Sequence, residues 1–235
     1  MVLRTLLAQH RHQPLSMLIA DKRIDRLGPM LAAAPQSVSI YAANQAVMDQ
    51  VVGFPIHRGV LALARRAEEP DPRAVLASLP PRALALCLFG IANHDNMGGL
   101  FRNAAAFGVG AVLLDQQCCD PLYRKAIRVS VGGALVTPFA RLGADDDPIE
   151  LLRAFGFEPL ALTPKGRMRL KDLRPPQRAA LLLGAEGPGL DDHLIDRATD
   201  VCIPMGTGFD SLNVATAGAI ALHQLAFQDA VSVPG

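Results

Sequence analysis

The stretch ALALCLFGIANHDNMGGLFRNAAAFG, residues 83–108, opens on an apolar run that lasts through residue 92. Up to residue 91 the run has strand length and no polar alternation, as expected of a strand covered on both faces. It is far short of the ~18 residues that a membrane-spanning helix needs. Helical periodicity follows over 97–107, so the segment reads strand, loop, helix. The same alternation continues downstream: strand 111–114, helix 121–130, strand 135–139, helix 147–155, strands 158–162 and 179–183, helix 190–198 and strand 200–203. A final helix is expected from near Ser211 to about Asp229. Elements in this order predict an α/β fold with a parallel sheet and helices on both faces. Ligands of such sheets bind beyond the carboxyl ends of the strands, so the loops that follow strands carry the information.

Upstream of the run, strands are expected over 16–20, 37–41 and 59–64, with helices over 22–34 and 45–52, the second capped by Asn44. Residues 68–81 break this pattern, with Pro70, Pro72, Pro80 and Pro81 flanking a charged stretch. Proline at both ends marks a linker. The chain of 235 residues therefore divides into a domain over 1–66, a linker over 67–82 and a domain over 83–235.

Half of the residues are hydrophobic, which excludes global disorder. The N-terminus MVLRTLLAQHRHQP has no apolar block long enough for a signal peptide, so a soluble, cytoplasmic protein is expected. Its four cysteines form no CxxC pair and no Cys/His ligand spacing, which points to reduced thiols, with Cys87 and Cys202 in apolar strands, and to no metal. Net charge is only +1, but residues 1–66 carry eight basic groups against three acidic ones, and arginine outnumbers lysine 19 to 4. A basic first third suits a nucleic-acid partner, although arginine enrichment also follows from base composition.

Three loops could carry chemistry. In IANHDNMGGLFRNAAAFG, residues 91–108, Asn96 is placed to cap the helix. Gly98 and Gly99 would leave its first N–H groups open to an anion within reach of Arg102. In LLLGAEGPGL, residues 181–190, the glycines permit tight turns and close approach to a flat ligand, with Glu186 beside the turn. The pattern is not GxGxxG, so no dinucleotide fingerprint is present. In VCIPMGTGFDSLNVATAGAIAL, residues 201–222, Ser211 stands at a cap position and Asn213 in the first turn of a small-residue helix. Taken singly, each loop also reads as capping and connection.

Together and in this order, NMGGLFR, LGAEGPG and IPM followed by SLNVA closely resemble the three motifs of the SpoU family of RNA 2′-O-ribose methyltransferases. The resemblance covers about residues 83–229. It implies a deep C-terminal trefoil knot, which no periodicity or spacing predicts. The first domain is similar, mainly through HRGVLALAR (57–65), to the small ribosomal-protein-like substrate-binding module of many members, shortened here by its opening strand and most of its first helix. S-adenosylmethionine is the implied cofactor, enclosed by Gly184, Ala185 and Glu186, by Ile203, Pro204, Met205 and Gly206, and by Leu212. The implied catalytic set is Asn96, Arg102, Glu186, Ser211 and Asn213.

Arg102 matches the arginine often assigned as base in the family. A guanidinium scarcely loses its proton in a protein, which favours a phosphate clamp instead. The implied partners are tRNA or rRNA and a second copy of the chain, joined through the C-terminal domain. With Trp absent and Tyr occurring twice, recognition is expected to lean on phosphate contacts and RNA shape rather than on broad aromatic platforms. Two other classes compete: a knotted protein that binds RNA or the cofactor without turnover, and a nicotinamide-dependent enzyme, which the missing fingerprint makes remote.

Overall fold

The structure, a computed structural model, describes residues 1–55, 59–208 and 211–227. They fall into two units, Met1–Glu68 and Glu69–Gly235. The first runs α1 (Val2–Ala8), β1 (Gln13–Ala20), α2 (Ile24–Ala32), β2 (Ser39–Ala43), α3 (Gln45–Val52) and β3 (Val60–Arg65). Strand β1 lies between β2, parallel to it, and β3, antiparallel, with Leu18 opposite both Tyr41 and Leu61. Met17, Ile19 and Val38 are buried there, with Leu3, Leu7, Leu27 and Leu31 packed against them. Asn44 caps α3 as expected, accepting from the Val47 N–H at 3.0 Å. The helix expected over 22–34 is divided into a 3-10 turn, Asp21–Arg23, and α2. Helix α1 falls where the sequence indicates no element. Of the HRGVLALAR stretch, His57 and Arg58 lie outside the described residues.

The second unit opens with α4 (Pro72–Ala77), inside the segment whose prolines read as a linker. Asp71 caps α4 from one end, and Arg178 donates to the carbonyls of Leu76, Leu79 and Pro80 at the other. Val75 and Leu76 are buried, so this part of the segment belongs to the core. There follow β4 (Ala83–Leu88), α5 (His94–Ala106), β5 (Ala111–Leu114), α6 (Arg124–Val129), α7 (Gly133–Val136), β6 (Phe139–Arg141), α8 (Pro148–Ala154) and β7 (Glu158–Leu162). The described residues continue through β8 (Met168–Arg169), β9 (Arg178–Leu183), α9 (Asp192–Asp196), β10 (Thr199–Cys202) and α10 (Val214–Phe227). The sheet order is β6-β5-β4-β9-β7-β10-β8, and every pairing is parallel.

Period-two alternation explains why the central strands read as unbroken apolar runs. Leu86, Leu88, Leu181 and Leu183 face a layer that contains Met97, Leu100 and Phe101 of α5 and Leu222 of α10. Ala85, Cys87, Ala180 and Leu182 face the opposite layer, with Leu76 of α4 and Ile149 and Leu152 of α8.

The strand expected over 135–139 is instead a short helix, α7, followed by β6. Gly132 turns with φ 92°, and a Cβ on Gly133 would lie 2.7 Å from the Phe101 carbonyl oxygen. The glycine pair thus lets the chain coil against α5 before Pro138 ends the turn. Among the cysteines, Cys87 and Cys118 are the buried pair, whereas Cys202 is only half-buried. Burial pushes the Cys87 and Cys118 thiols up to about 12, leaving both neutral near pH 7.

Asp200 of β10 holds the chain around β8 in place. Its carboxylate accepts from the Arg167 backbone N–H at 2.9 Å and from Arg167 Nη2 at 2.7 Å. The Arg167 guanidinium, outweighing partial burial, brings the Asp200 carboxyl down to about 2. A carboxyl depressed on folding contributes stability above its unfolded value, about 3.9, that is lost as pH falls toward about 2. Between those limits the thermal midpoint of the wild type should fall more steeply than that of Asp200→Asn. Parallel curves would show that the pair contributes nothing to acid stability.

Candidate functional site

Helix α5 starts one turn earlier than periodicity alone indicates. Its cap is Asn93, whose Oδ1 accepts from the Asp95 N–H at 2.7 Å and the Asn96 N–H at 3.4 Å. Asn96 is therefore not the cap. It lies in the first turn and is 7% exposed. Gly98 and Gly99 likewise serve packing rather than an anion seat. A Cβ on Gly98 would lie 2.6 Å from Val129 Cβ of α6, and one on Gly99 would lie 2.9 Å from Ala215 Cβ of α10.

The cap of α10 is Asn213, not Ser211. Asn213 Oδ1 accepts from the Ala215 and Thr216 N–H groups at 3.0 and 3.2 Å. Its Nδ2 is left to face the other two loops, donating to Asn96 Oδ1 at 2.9 Å and to Glu186 Oε1 at 3.1 Å. One amide thus joins residues from three loops that are distant in sequence. Burying the Asn96 carbonyl would be costly without this donor. Glu186 and Asn213 themselves are exposed, as is Ser211.

The turn that holds Glu186 is closed by its own backbone. Ala185 and Gly189 form an isolated bridge, with the Gly189 N–H donating to the Ala185 carbonyl at 3.0 Å. Gly187 and Gly189 have φ of 91° and 77°, which L side chains rarely adopt. Gly184 has no room at all, since a Cβ there would lie 2.1 Å from the Gly189 carbonyl carbon.

Arg102 is exposed on α5 and, among the described residues, forms no ion pair or side-chain hydrogen bond. Ile203, Pro204, Met205 and Gly206 follow β10 on the same carboxyl edge of the sheet, and Leu212 precedes Asn213 with 42% of its surface exposed.

Two supporting residues carry no motif. Asn103 Nδ2 donates to the Ala215 carbonyl at 2.8 Å, on the stripe of α5 that also holds Asn96. The spacing of seven between these asparagines is the signal that both face one neighbour. Asp115, after β5, accepts from the Gly90 N–H at 2.9 Å and caps the Gln117 and Cys118 N–H groups. It ties the first loop to the next strand end.

Residues 83–223 match the family model of the SpoU rRNA methylases. The chain belongs to the SpoU rRNA methylase family. Over 232 residues it is 44% identical to an uncharacterized tRNA/rRNA methyltransferase of Mycobacterium tuberculosis, covering 95% of this chain and 77% of that one. It is 27% identical to the 23S rRNA (guanosine-2′-O-)-methyltransferase RlmB of Salmonella typhi, covering 89% of this chain and 88% of the relative. The fold is also that of the SpoU methyltransferase AviRb of Streptomyces viridochromogenes, solved with AdoMet, at a TM-score of 0.82 and 20% identity. That similarity covers 97% of this chain and 88% of AviRb. SpoU membership makes the chain an RNA methyltransferase by family, and its three loops meet where the parallel sheet presents its carboxyl edge.

Proposed function

We propose that this SpoU protein transfers a methyl group from S-adenosylmethionine to a ribose 2′-hydroxyl of tRNA or rRNA. The observation that carries this reading is the Asn213 amide, which draws Asn96 and Glu186 to one point at the strand ends. RNA is the polymer because DNA lacks the 2′-hydroxyl. The reading places the protein in the cytoplasm, with its RNA.

The residues at the strand ends suit the cofactor. A Cβ on Gly206 would meet nothing within 4 Å, so open space borders that loop. Leu212 is exposed and Ile203 and Met205 are half-buried, which offers apolar contacts to a ligand. Gly184, Ala185, Glu186 and Pro204 add backbone groups to the same cradle. When bound there, S-adenosylmethionine supplies a methyl group activated by its sulfonium.

The chain itself has to place the ribose in line and to manage its hydroxyl proton. Asn96 and Glu186, both oriented by Asn213, position the ribose, and the Ser211 hydroxyl stands two residues away. Arg102 holds the target's phosphate and stabilises the developing alkoxide by charge. A guanidinium keeps its proton, so the base lies elsewhere.

The test is incubation with methyl-labelled S-adenosylmethionine and total RNA, followed by digestion to nucleosides. Label in 2′-O-methylated nucleosides is expected. Label confined to methylated bases would overturn the ribose assignment. RNA binding without label would favour the non-catalytic alternative.

The same reading includes a knot and a homodimer. A Cβ on Gly166 would lie 2.4 Å from the Val201 carbonyl carbon, a close approach of the 163–177 loop to β10 that fits threading of the chain end through it. Leu170 and Leu173 of that loop share one buried cluster with Leu222 and Leu225 of α10. For the dimer, α10 leaves Thr216, Ile220, His223 and Phe227 exposed on one stripe, Ile220 by 42%. Ile220 and Phe227 leave apolar surface on the solvent side of a helix whose other side is already buried, which supports a partner there.

Gly218 is not on that stripe, because a Cβ there would lie 2.9 Å from Leu100 Cδ2, inside the unit's own core. Ile220→Lys is therefore the informative change. The wild type should sediment near twice 25.0 kDa and the variant near 25.0 kDa with its thermal midpoint kept. A monomeric, fully active wild type would exclude the dimer.

A further inference from the structure

At the start of α5 stands a ring pair, one ring exposed and one half-buried, that the mechanism above does not use. His94, the first residue of α5, lies against Tyr123 with ring centroids 4.3 Å apart and planes at 43°. Tyr123 is 52% exposed. It occupies the residue before α6 without a side-chain cap bond, so helix capping does not explain its ring. His94 and Asn96 both stand in the first turn of α5, so the pair lies at the end of the helix that carries the proposed ribose site, on its α6 side.

The charge around the rings is basic. Arg124, Lys125 and Arg128 are exposed on α6, and Lys125 Nζ pairs with Asp95 at 2.5 Å. Asp95 and Arg102 are seven residues apart and share one stripe of α5. Arg102 therefore extends the α6 cations along the same surface, with Asp95 and Asp120 the acidic groups at its edge.

We propose that the His94–Tyr123 pair is a stacking platform for a nucleobase adjacent to the methylated nucleotide, with the α6 cations holding the flanking phosphates. A half-exposed aromatic ring within a basic strip is the recurrent means of holding single-stranded nucleic acid. It is one local platform, not the broad aromatic surface that two tyrosines and no tryptophan rule out. This assignment rests on the RNA methyltransferase reading, but it concerns binding and can be measured without turnover.

The experiment uses the full chain and a short single-stranded oligoribonucleotide of mixed sequence. In Tyr41→Phe protein, Tyr123 is the sole tyrosine and reports directly on the platform. Its emission should be quenched as the oligoribonucleotide is added. Tyr123→Ala should weaken binding by about tenfold or more, while Tyr123→Phe keeps most of it, since stacking needs the ring and not the hydroxyl. S-adenosylmethionine affinity, measured by calorimetry, should be equal in all variants, which also reports that the fold is intact. Unquenched emission, or equal affinity for wild type and Tyr123→Ala, would overturn the platform. If methyl transfer to total RNA proceeds and Tyr123→Ala leaves KM unchanged, the platform fails and the enzyme reading stands. If stacking behaves as expected and no methyl is transferred, the enzyme reading fails and the platform stands.

Discussion

Asn213→Asp should abolish most methyl transfer while keeping the cap of α10, at a stability cost of about 1–3 kcal/mol from the buried Asn96 carbonyl it leaves unpartnered. Aspartate caps a helix as well as asparagine, so the bonds to the Ala215 and Thr216 N–H groups survive. What is lost is the donor. The carboxylate cannot donate to Asn96 and Glu186, and it sets a negative charge beside the Glu186 carboxylate. Asn96 is then left buried with its carbonyl unpartnered, and the two positioning side chains lose their common anchor. Displacements of about 1 Å at a reacting centre cost on the order of a hundredfold, and at least that loss in kcat is expected. Asn213→Ala should lose a similar amount of activity and about 1 kcal/mol of stability besides, from the missing cap. Labelled-methyl transfer and thermal melting on the two variants separate these effects. An Asp variant with wild-type kcat would mean that the bridge only holds α10.

The second large effect is expected at Gly184, even for alanine. Its Cβ would lie 2.1, 2.2 and 2.3 Å from the Gly189 carbonyl carbon, its oxygen and the Leu190 nitrogen. All three are backbone atoms of the same turn, so no side chain can swing away to make room. The Ala185–Gly189 bridge has to open, and Glu186 moves with it. Overpacking of this kind costs roughly 1–3 kcal/mol or more, and cofactor binding should fall together with the thermal midpoint. The effect is one of the turn's own geometry, not of a side chain filling ligand space. Gly206→Val supplies the contrast. A Cβ there meets nothing within 4 Å, so the fold should be kept while S-adenosylmethionine affinity drops. Calorimetry with melting on both variants checks this. A stable Gly184→Ala with normal binding would show that the turn yields, and normal binding by Gly206→Val would remove Gly206 from the cofactor site.

The sequence by itself determined the parallel α/β architecture, because strands such as 83–88 and 178–183 are buried on both faces and show it as unbroken apolar runs. It also determined the family, since three motifs in a set order carry far more information than any one loop. Local capping was legible where a single polar side chain competes for a helix start, as at Asn44. It was not legible where two do. Asn93 and Asn96, or Ser211 and Asn213, are equally good caps by residue type, and only tertiary contacts choose between them. Asn96 and Asn213 meet across 117 residues of chain, a pairing that no local pattern encodes. The glycines divide in the same way. Their freedom is visible in sequence, but Gly98, Gly99 and Gly218 turn out to be sites of close helix packing. The use of a missing side chain depends on what lies 3 Å away, and that neighbour comes from elsewhere in the fold.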